Sequence, residues 1–209
     1  MAVATDHLAR HQCMIYAGSP ARTLTVMVAA IARQLAANYR CMYMNTAPMV
    51  AGLRSQLYGA GVDTERAVST GALRLESGDA HLVSGRFDVD HMILLLGTAA
   101  QEALDDGYAG LFATGDMAFE LGAETEFSKV LEYEWRLEQL FMEQPGLCGI
   151  CQYNCDMVPP AALRHGFVSH QHLFISDTLS RLNPHYIAAH NERAAGAAKL
   201  DAAVLTTLS

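Results

Sequence analysis

The sequence predicts an α/β domain with a mainly parallel central sheet flanked by helices. Short apolar or β-branched runs, which suit strands, alternate with longer stretches whose apolar residues recur at helical spacing. Turns rich in glycine or proline separate them, as at Gly18-Ser19-Pro20, where Pro20 suits the first turn of a helix. Strands that alternate with helices are typical of parallel βαβ units, so we expect ligands to bind at the carboxyl ends of the strands.

The first half of the chain shows this alternation clearly. Gly59-Ala60-Gly61 ends the second helix, because glycine readily adopts the left-handed conformation that closes a helix. Asp88 is the expected N-cap of the third helix, and Gly107 follows its end. The predicted elements are strands at 13–17 and 40–44, helices at 23–37 and 48–58, extended segments at 73–76 and 81–84, and a helix at 88–104.

The second half continues the pattern. Pro159 and Pro160 begin a short helix, and the last predicted helix is rich in alanine. We expect strands at 110–114, 146–153 and 173–175, and longer helices at 123–142 and 186–208. The domain then comprises residues 11–180, after an extension at 1–10 and before a C-terminal helical segment, 181–209, that is a candidate output or dimer segment.

Composition and charge exclude several classes of protein. The chain has 209 residues, of which 51% are hydrophobic and 17% charged, which is enough to bury one core. Its net charge is -8 and its lysines and arginines form no cluster, which argues against binding nucleic acid. The longest apolar run, 26–32, is too short to span a bilayer, and residues 1–10 lack the apolar segment of a signal peptide. We therefore expect a cytoplasmic protein that contacts neither nucleic acid nor membrane directly.

The turn after the first strand has the position of a phosphate-binding loop but lacks its residues. A working loop needs glycines that let backbone N–H groups surround the phosphates, followed by a lysine and a serine or threonine. The segment from Ala17 to Thr23 has no lysine, and Pro20 removes one backbone donor. Asp116 stands where such enzymes keep a metal-binding acid, but a helix N-cap explains it equally well. We expect a RecA-like order of elements without a working phosphate-binding loop, and a degenerate module that holds a nucleotide without hydrolysing it is an alternative.

Several short segments carry a family resemblance. The chain contains His11-Gln12-Cys13-Met14-Ile15-Tyr16, Gly115-Asp116-Met117-Ala118-Phe119, Tyr133-Glu134 and Cys151-Gln152-Tyr153-Asn154, followed by His170. Their order and spacing resemble the landmarks of MEDS domains, the sensory modules of methanogen and methylotroph regulators. Asp116, Phe119 and Asn154 replace the Glu, Trp and Asp of the family pattern, and no proline follows His170.

The resemblance implies a ligand-binding sensory domain and not an enzyme. MEDS domains are associated with sensing small hydrocarbon derivatives, and they are attached to histidine kinase or DNA-binding modules that regulate transcription. The implied partners are a small organic ligand and an output module, in the same chain or a separate one, and a homodimer is a candidate assembly. His11, Glu134 and His170 are the implied polar anchors of the ligand, and Tyr16 and Tyr153 the walls. The implied ligand-binding residues are His11, Cys13, Tyr16, Asp116, Glu134, Cys151, Tyr153 and His170.

The cysteines offer a second hypothesis, a metal or cofactor sensor. Cys148, Cys151 and Cys155 have a spacing that can chelate zinc or iron, and His165, His170 and His172 follow closely. Against this, the segment reads as a strand, in which Cys148 and Cys151 point to opposite faces. A set drawn from separate strands, such as His11, Cys151 and His170, remains open beside the three-cysteine set.

Overall fold

Seven strands form one sheet in the computed structural model of the protein, which describes residues 10–122 and 127–188. The strand order is β3-β2-β4-β5-β1-β6-β7, and every neighbouring pair is parallel except β6 and β7. The predicted α/β class with a mainly parallel sheet is confirmed. The strands are β1 (His11–Tyr16), β2 (Arg40–Met44), β3 (Leu73–Glu76), β4 (Leu111–Asp116), β5 (Leu147–Asn154), β6 (His172–Ser176) and β7 (Leu179–Leu182).

Helices connect the parallel strands and cover both faces of the sheet. Short 3₁₀ turns, Pro20–Thr23 and Phe127–Lys129, precede α1 and α6. Within residues 10–122 and 127–188, no helix has both the length and the hydropathy required to cross a bilayer. The helices are α1 (Leu24–Ala36), α2 (Ala47–Gly59), α3 (Thr64–Ser69), α4 (Val89–Asp105), α5 (Met117–Glu120), α6 (Val130–Glu143) and α7 (Pro160–Ser169).

Two apolar layers hold the helices against the sheet. The layer on one face, here called the α6 face, contains side chains of α4, α6 and α7, and the layer on the other, the α1 face, contains side chains of α1 and α2. Successive residues of a strand point to opposite faces. In β5, Leu147, Cys151 and Tyr153 therefore lie on the α6 face, and Cys148 and Ile150 on the α1 face.

The structure corrects several boundaries. Residues 81–84 form no strand, because Ser84 and Gly85 adopt positive φ angles of 52° and 78° and turn the chain back on itself. The helix expected at 123–142 is the 3₁₀ turn followed by α6, and residues 123–126 lie outside the described residues. The short helix α3 was not predicted.

The end of the domain also differs from the expectation. Residues 179–182 form the exposed strand β7, which lacks the apolar alternation that would have predicted it. Residues 186–188 are not helical, since the Ile187 amide donates to the Val168 carbonyl and draws the chain along α7. The rest of the expected C-terminal helix, like the extension at 1–9, lies outside the described residues.

Gly149 lets α6 pack closely on the sheet. A Cβ atom at this position would collide with the Ala113 carbonyl of β4 and would lie 3.3 Å from Cζ of Phe141 on α6. The Phe141 ring in turn stacks on His11 of β1, with ring centroids 4.6 Å apart. The absence of a side chain at Gly149 therefore sets the distance between α6 and strands β1 and β5.

We expect Gly149→Ala to destabilise the protein by about 1–3 kcal/mol, because neither a strand backbone nor a packed ring yields easily. Urea unfolding followed by circular dichroism measures the loss. Gly97→Ala is the matched control. Gly97 lies in the middle of α4, and its added Cβ would be an ordinary 3.5 Å from the nearest side chains. Alanine favours helix there, so the control should match or exceed wild-type stability by up to about 1 kcal/mol. Equal stabilities of the two variants would contradict this account.

Candidate functional site

The pairing of β1 with β5 brings two of the resemblance segments together. Cys13 pairs with Cys151 and His11 pairs with Gly149, in parallel register. Side chains of His11, Cys13, Cys151 and Tyr153 are buried on the α6 face. Two strands that are far apart in sequence therefore present an imidazole, two thiols and a phenol to the same helix.

Helix α6 supplies a buried carboxylate to this surface. Glu134 is fully buried and lies beneath the sheet residues. The Tyr153 hydroxyl donates a hydrogen bond to Oε1 of Glu134. On the other side, Oε2 lies 3.3 Å from Nε2 of His11, 3.4 Å from Nε2 of His170 and 3.8 Å from Sγ of Cys151. These five residues, Glu134, His11, Cys151, Tyr153 and His170, are called the Glu134 cluster below.

His11 bridges two carboxylates of α6. Its Nδ1 lies 2.6 Å from Oε2 of Glu138, one helical turn after Glu134. Burial acts to lower the pKa of His11, but the hydrogen bonds and charges of Glu134 and Glu138 outweigh it and raise that pKa to about 9. Burial acts to raise the pKa of Glu134 and Glu138, and the hydrogen bonds and positive charge of His11 hold both below their usual values. His11 is therefore an imidazolium between two carboxylates.

His170, unlike His11, is uncharged. It follows α7, and its Nδ1 lies 2.5 Å from the Gly166 carbonyl oxygen, which only accepts hydrogen bonds. Nδ1 must therefore carry the proton. Burial and the positive charge of His11 lower the pKa of His170 to about 4, so the ring is neutral. Its Nε2 lone pair faces the cluster, and this buried nitrogen has no hydrogen-bond partner.

A third carboxylate, Glu120, lies beside the cluster. It is buried at the end of α5, and Tyr133 of α6 donates to its Oε2 at 3.3 Å. Burial and the charge of Glu134 raise the pKa of Glu120 to about 8. Gly115 makes room for it, because a Cβ there would collide with the Glu120 carboxylate. At neutral pH Glu120 is therefore mainly protonated while Glu134 is ionised.

Tyr16 and Asp116 belong to a different place. The Tyr16 hydroxyl donates to Oδ2 of Asp116 at 2.5 Å, and Oδ1 of Asp116 accepts from the Ala118 amide at the start of α5. Asp116 lines a cleft of about 540 Å³ at the carboxyl ends of β2 and β4. This space, called the edge cleft below, is also lined by Asn45, Thr46, Asp79, Leu82, Phe119 and Met157.

The implied ligand-binding set therefore divides into two groups. His11, Cys13, Glu134, Cys151, Tyr153 and His170 face α6 beneath the sheet, whereas Tyr16 and Asp116 meet at its carboxyl edge. Tyr153, next to the last residue of β5, is fully buried, bound to Glu134, and does not line the edge cleft. Glu120, Tyr133 and Glu138 complete the buried site and were not identified as site residues. Of these, Glu138 was signalled by its i, i+4 spacing from Glu134.

The three-cysteine metal set is not assembled in this structure. Cys148 is buried on the α1 face, opposite Cys151, because the two residues are three apart in a strand. Cys155 is exposed beyond the end of β5, roughly 13 Å along the chain from Cys151 at about 3.3 Å per residue. One ion cannot contact all three sulfurs. Among the described residues, the candidate metal-ligating group is His11, Glu134, Cys151 and His170.

The turn after β1 does not fit a phosphate group. Its Gly18 amide donates to Oδ2 of Asp156 at 2.6 Å, and its Gly18 carbonyl accepts from Nδ2 of Asn154 at 3.1 Å. A carboxylate thus occupies a backbone donor that a phosphate-binding loop would offer to its ligand. Ser19 accepts from the Ala21 amide, which closes the turn locally.

Glu120→Gln tests the charge state of this buried acid. A glutamate that titrates at 4.5 when unfolded and at about 8 when folded keeps its proton in the folded state, so wild-type stability falls as pH rises through that interval. The variant keeps an acceptor for Tyr133 and loses this pH dependence. Its free energy of unfolding relative to wild type should therefore rise between about pH 5 and pH 8, by on the order of a few kcal/mol. Urea unfolding at both pH values checks this, with the exposed Glu143→Gln as control, and a constant difference would show that Glu120 is ionised throughout.

Comparisons with known proteins agree with this fold and add a family. A KaiC-like protein from Pyrococcus horikoshii OT3 has a similar fold, with a TM-score of 0.51 and 12% identity, over 79% of this chain and 69% of that one. At this identity the similarity concerns the RecA-like fold alone, and the comparison with curated proteins gives no match. The family model described as the methanogen/methylotroph, DcmR sensory domain matches residues 10–171. This chain therefore belongs to the MEDS family of sensory domains.

Proposed function

We propose that this MEDS domain senses a small, largely apolar organic molecule, such as a hydrocarbon derivative, and that the molecule binds in the edge cleft. The observation that carries the proposal is the cleft itself, about 540 Å³ in volume, which falls within the usual range for small-molecule sites. It lies at the carboxyl ends of β2 and β4, the edge at which open α/β sheets bind their ligands.

The lining of the cleft favours a neutral ligand over a nucleotide. Leu82, Phe119 and Met157 supply apolar walls, and Asn45 and Thr46 supply a few polar atoms. The charged groups in the lining are acidic, Asp79 and Asp116, and no lysine or arginine is among the lining residues. Phosphate groups would meet repulsion here, so the proposal assigns ligand binding without hydrolysis.

The Glu134 cluster offers a ligand far less space. The cavity next to Cys151 and Glu120 has a volume of about 20 Å³, which holds about one water molecule. A second cleft of about 390 Å³ lies between β3 and α4 and contains Thr98 and His91 in its lining. No residue of β4 lines it, and Asp116, the member of the implied set that lines the edge cleft, is absent from its lining.

The edge cleft is well placed to pass on a binding event. Asp116 lines the cleft, caps α5 and accepts a hydrogen bond from Tyr16 at the end of β1. A ligand that contacts Asp116 therefore acts on both α5 and β1. A ligand shifts a conformational equilibrium only through different affinities for the two states. We propose that the shift is transmitted to an output module, a histidine kinase or DNA-binding regulator, in signal transduction inside the cell.

Thermal unfolding with added probe molecules tests the proposal. Halogenated methanes and short-chain alcohols are the probes, and the measurement is the rise in midpoint temperature as probe concentration increases. Phe119→Ala removes the aromatic wall, and we expect the apparent affinity to fall at least about tenfold, or ~1.4 kcal/mol. Each variant is compared with its own ligand-free baseline, because Phe119 also packs against His81 with centroids 5.1 Å apart.

Thr98→Val is the matched control for this experiment. It alters the cleft between β3 and α4 and leaves the edge cleft intact. We expect it to bind each probe as the wild type does. A loss of binding in Thr98→Val with normal binding in Phe119→Ala would place the ligand in the other cleft and overturn the proposal.

A further inference from the structure

The inward atoms of the Glu134 cluster have the spacing of a metal coordination sphere. The four candidate ligand atoms of His11, Glu134, Cys151 and His170 all lie within 4.8 Å of one another. The measured separations around Oε2 of Glu134 and Nε2 of His11 are 3.3, 3.4, 3.5 and 3.8 Å. Metal–nitrogen and metal–oxygen bonds of about 2.0–2.2 Å and a metal–sulfur bond of about 2.3 Å place the ligands of a tetrahedral zinc ion roughly 3.3–3.7 Å apart.

The outward atom of each polar ligand is already held by another group. Nδ1 of His11 is bound by Glu138, which also accepts from the Tyr186 hydroxyl. Oε1 of Glu134 is bound by Tyr153, and Nδ1 of His170 by the Gly166 carbonyl. Partners of this kind fix the tautomer and orientation of metal-ligating side chains. They leave two imidazole Nε2 atoms, one carboxylate oxygen and one sulfur free to bind a common ion, all within 4.8 Å of one another.

His170 provides an independent indication of a missing ligand. Its Nδ1 donates to Gly166, so in the neutral ring Nε2 carries a lone pair. This nitrogen is fully buried, has no hydrogen-bond partner, and lies 3.4 Å from Oε2 of Glu134. Two buried electron pairs that face each other are unfavourable, and a cation between them removes the repulsion.

We propose that His11 and His170, through Nε2, Glu134, through Oε2, and Cys151, through Sγ, bind one divalent metal ion of the zinc type. Imidazole, thiolate and carboxylate ligands together suit such an ion. The thiolate and the carboxylate balance its charge, so the first coordination sphere is neutral in a buried site. The protons on the Cys151 thiol and on His11 Nε2 leave to solvent when the ion binds, as ligation requires.

Four protein ligands imply a structural or sensory ion and not a catalytic one. Catalytic zinc sites keep one position open for water or substrate, whereas structural sites are closed by four protein ligands. The ligands come from β1, β5, α6 and the end of α7. An ion here would join both central strands to two helices, so its binding stabilises the folded chain. The inference concerns a site separate from the edge cleft and does not depend on the organic ligand proposed above.

Cobalt and zinc titrations of the whole chain test this site. The protein is stripped with a chelator and titrated with Co²⁺, and then Zn²⁺ is added. We expect one ion per chain, a cysteine-to-cobalt charge-transfer absorption in the near ultraviolet, and displacement of Co²⁺ by Zn²⁺, which binds such ligands more tightly. Failure of the folded wild-type chain to bind one equivalent of either ion would overturn the proposal.

Cysteine variants identify the ligand. Cys151→Ser should abolish the charge-transfer absorption and weaken binding by more than about 100-fold, since even second-sphere changes cost roughly 10- to 100-fold. Cys148→Ser is the matched control, because Cys148 is buried in the same strand but on the opposite face. It should bind as the wild type does. Loss of the absorption in Cys148→Ser or Cys155→Ser, with retention in Cys151→Ser, would contradict the assignment.

X-ray absorption spectroscopy of the zinc-loaded wild type keeps the test decisive if Cys151→Ser does not fold. The proposal requires one sulfur and three nitrogen or oxygen neighbours around zinc. Two or three sulfur neighbours, or none, would overturn it. Circular dichroism of each variant shows whether a loss of metal binding reflects loss of a ligand or loss of the fold.

Discussion

The buried carboxylate of Glu134 is the constraint on which this domain is built. Removing an ionised carboxylate from water costs several kcal/mol unless other groups compensate it. Here the Tyr153 hydroxyl of β5 and the His11 imidazolium of β1 compensate it, and the two residues come from neighbouring strands. The same contacts that compensate the charge therefore hold α6 on β1 and β5.

The charge on Glu134 also determines the protonation of its neighbours. With Glu138 it keeps His11 protonated, and the positive charge of His11, together with burial, keeps His170 neutral. Burial and the negative charge of Glu134 keep Glu120 mainly protonated at neutral pH. Five ionisable groups thus share one small buried space, and the one positive charge, on His11, lies between the two negative charges. These groups are His11, Glu120, Glu134, Glu138 and His170. Their titrations are coupled, so a change at one of them, including ligation of a metal, redistributes protons among the rest.

Periodicity explains which parts of the fold and site could be predicted from the sequence. Strand alternation separates Cys148 from Cys151 and also places Tyr16 on the opposite face from His11 and Cys13. Helical spacing puts Glu138 beside Glu134.

Other features have no local signal. Glu120 lies on α5, which is too short to show a period, and β7 is exposed along its whole length. The match between β1 and β5 depends on parallel pairing over more than a hundred residues, which no local pattern specifies.

The one-turn helix α5 lies between the edge cleft and the Glu134 cluster. Asp116 at its start lines the edge cleft and accepts from Tyr16, and Glu120 at its end contacts Tyr133 beside the Glu134 cluster. Gly115 precedes Asp116, and a Cβ atom there would collide with the Glu120 carboxylate. Because only three residues separate Asp116 from Glu120 in this helix, we expect a displacement of Asp116 to reach Glu120. The pKa of a buried acid such as Glu120 depends strongly on its surroundings. The ligand proposed for the edge cleft would therefore affect the charge balance around Glu134 through the segment from Asp116 to Glu120.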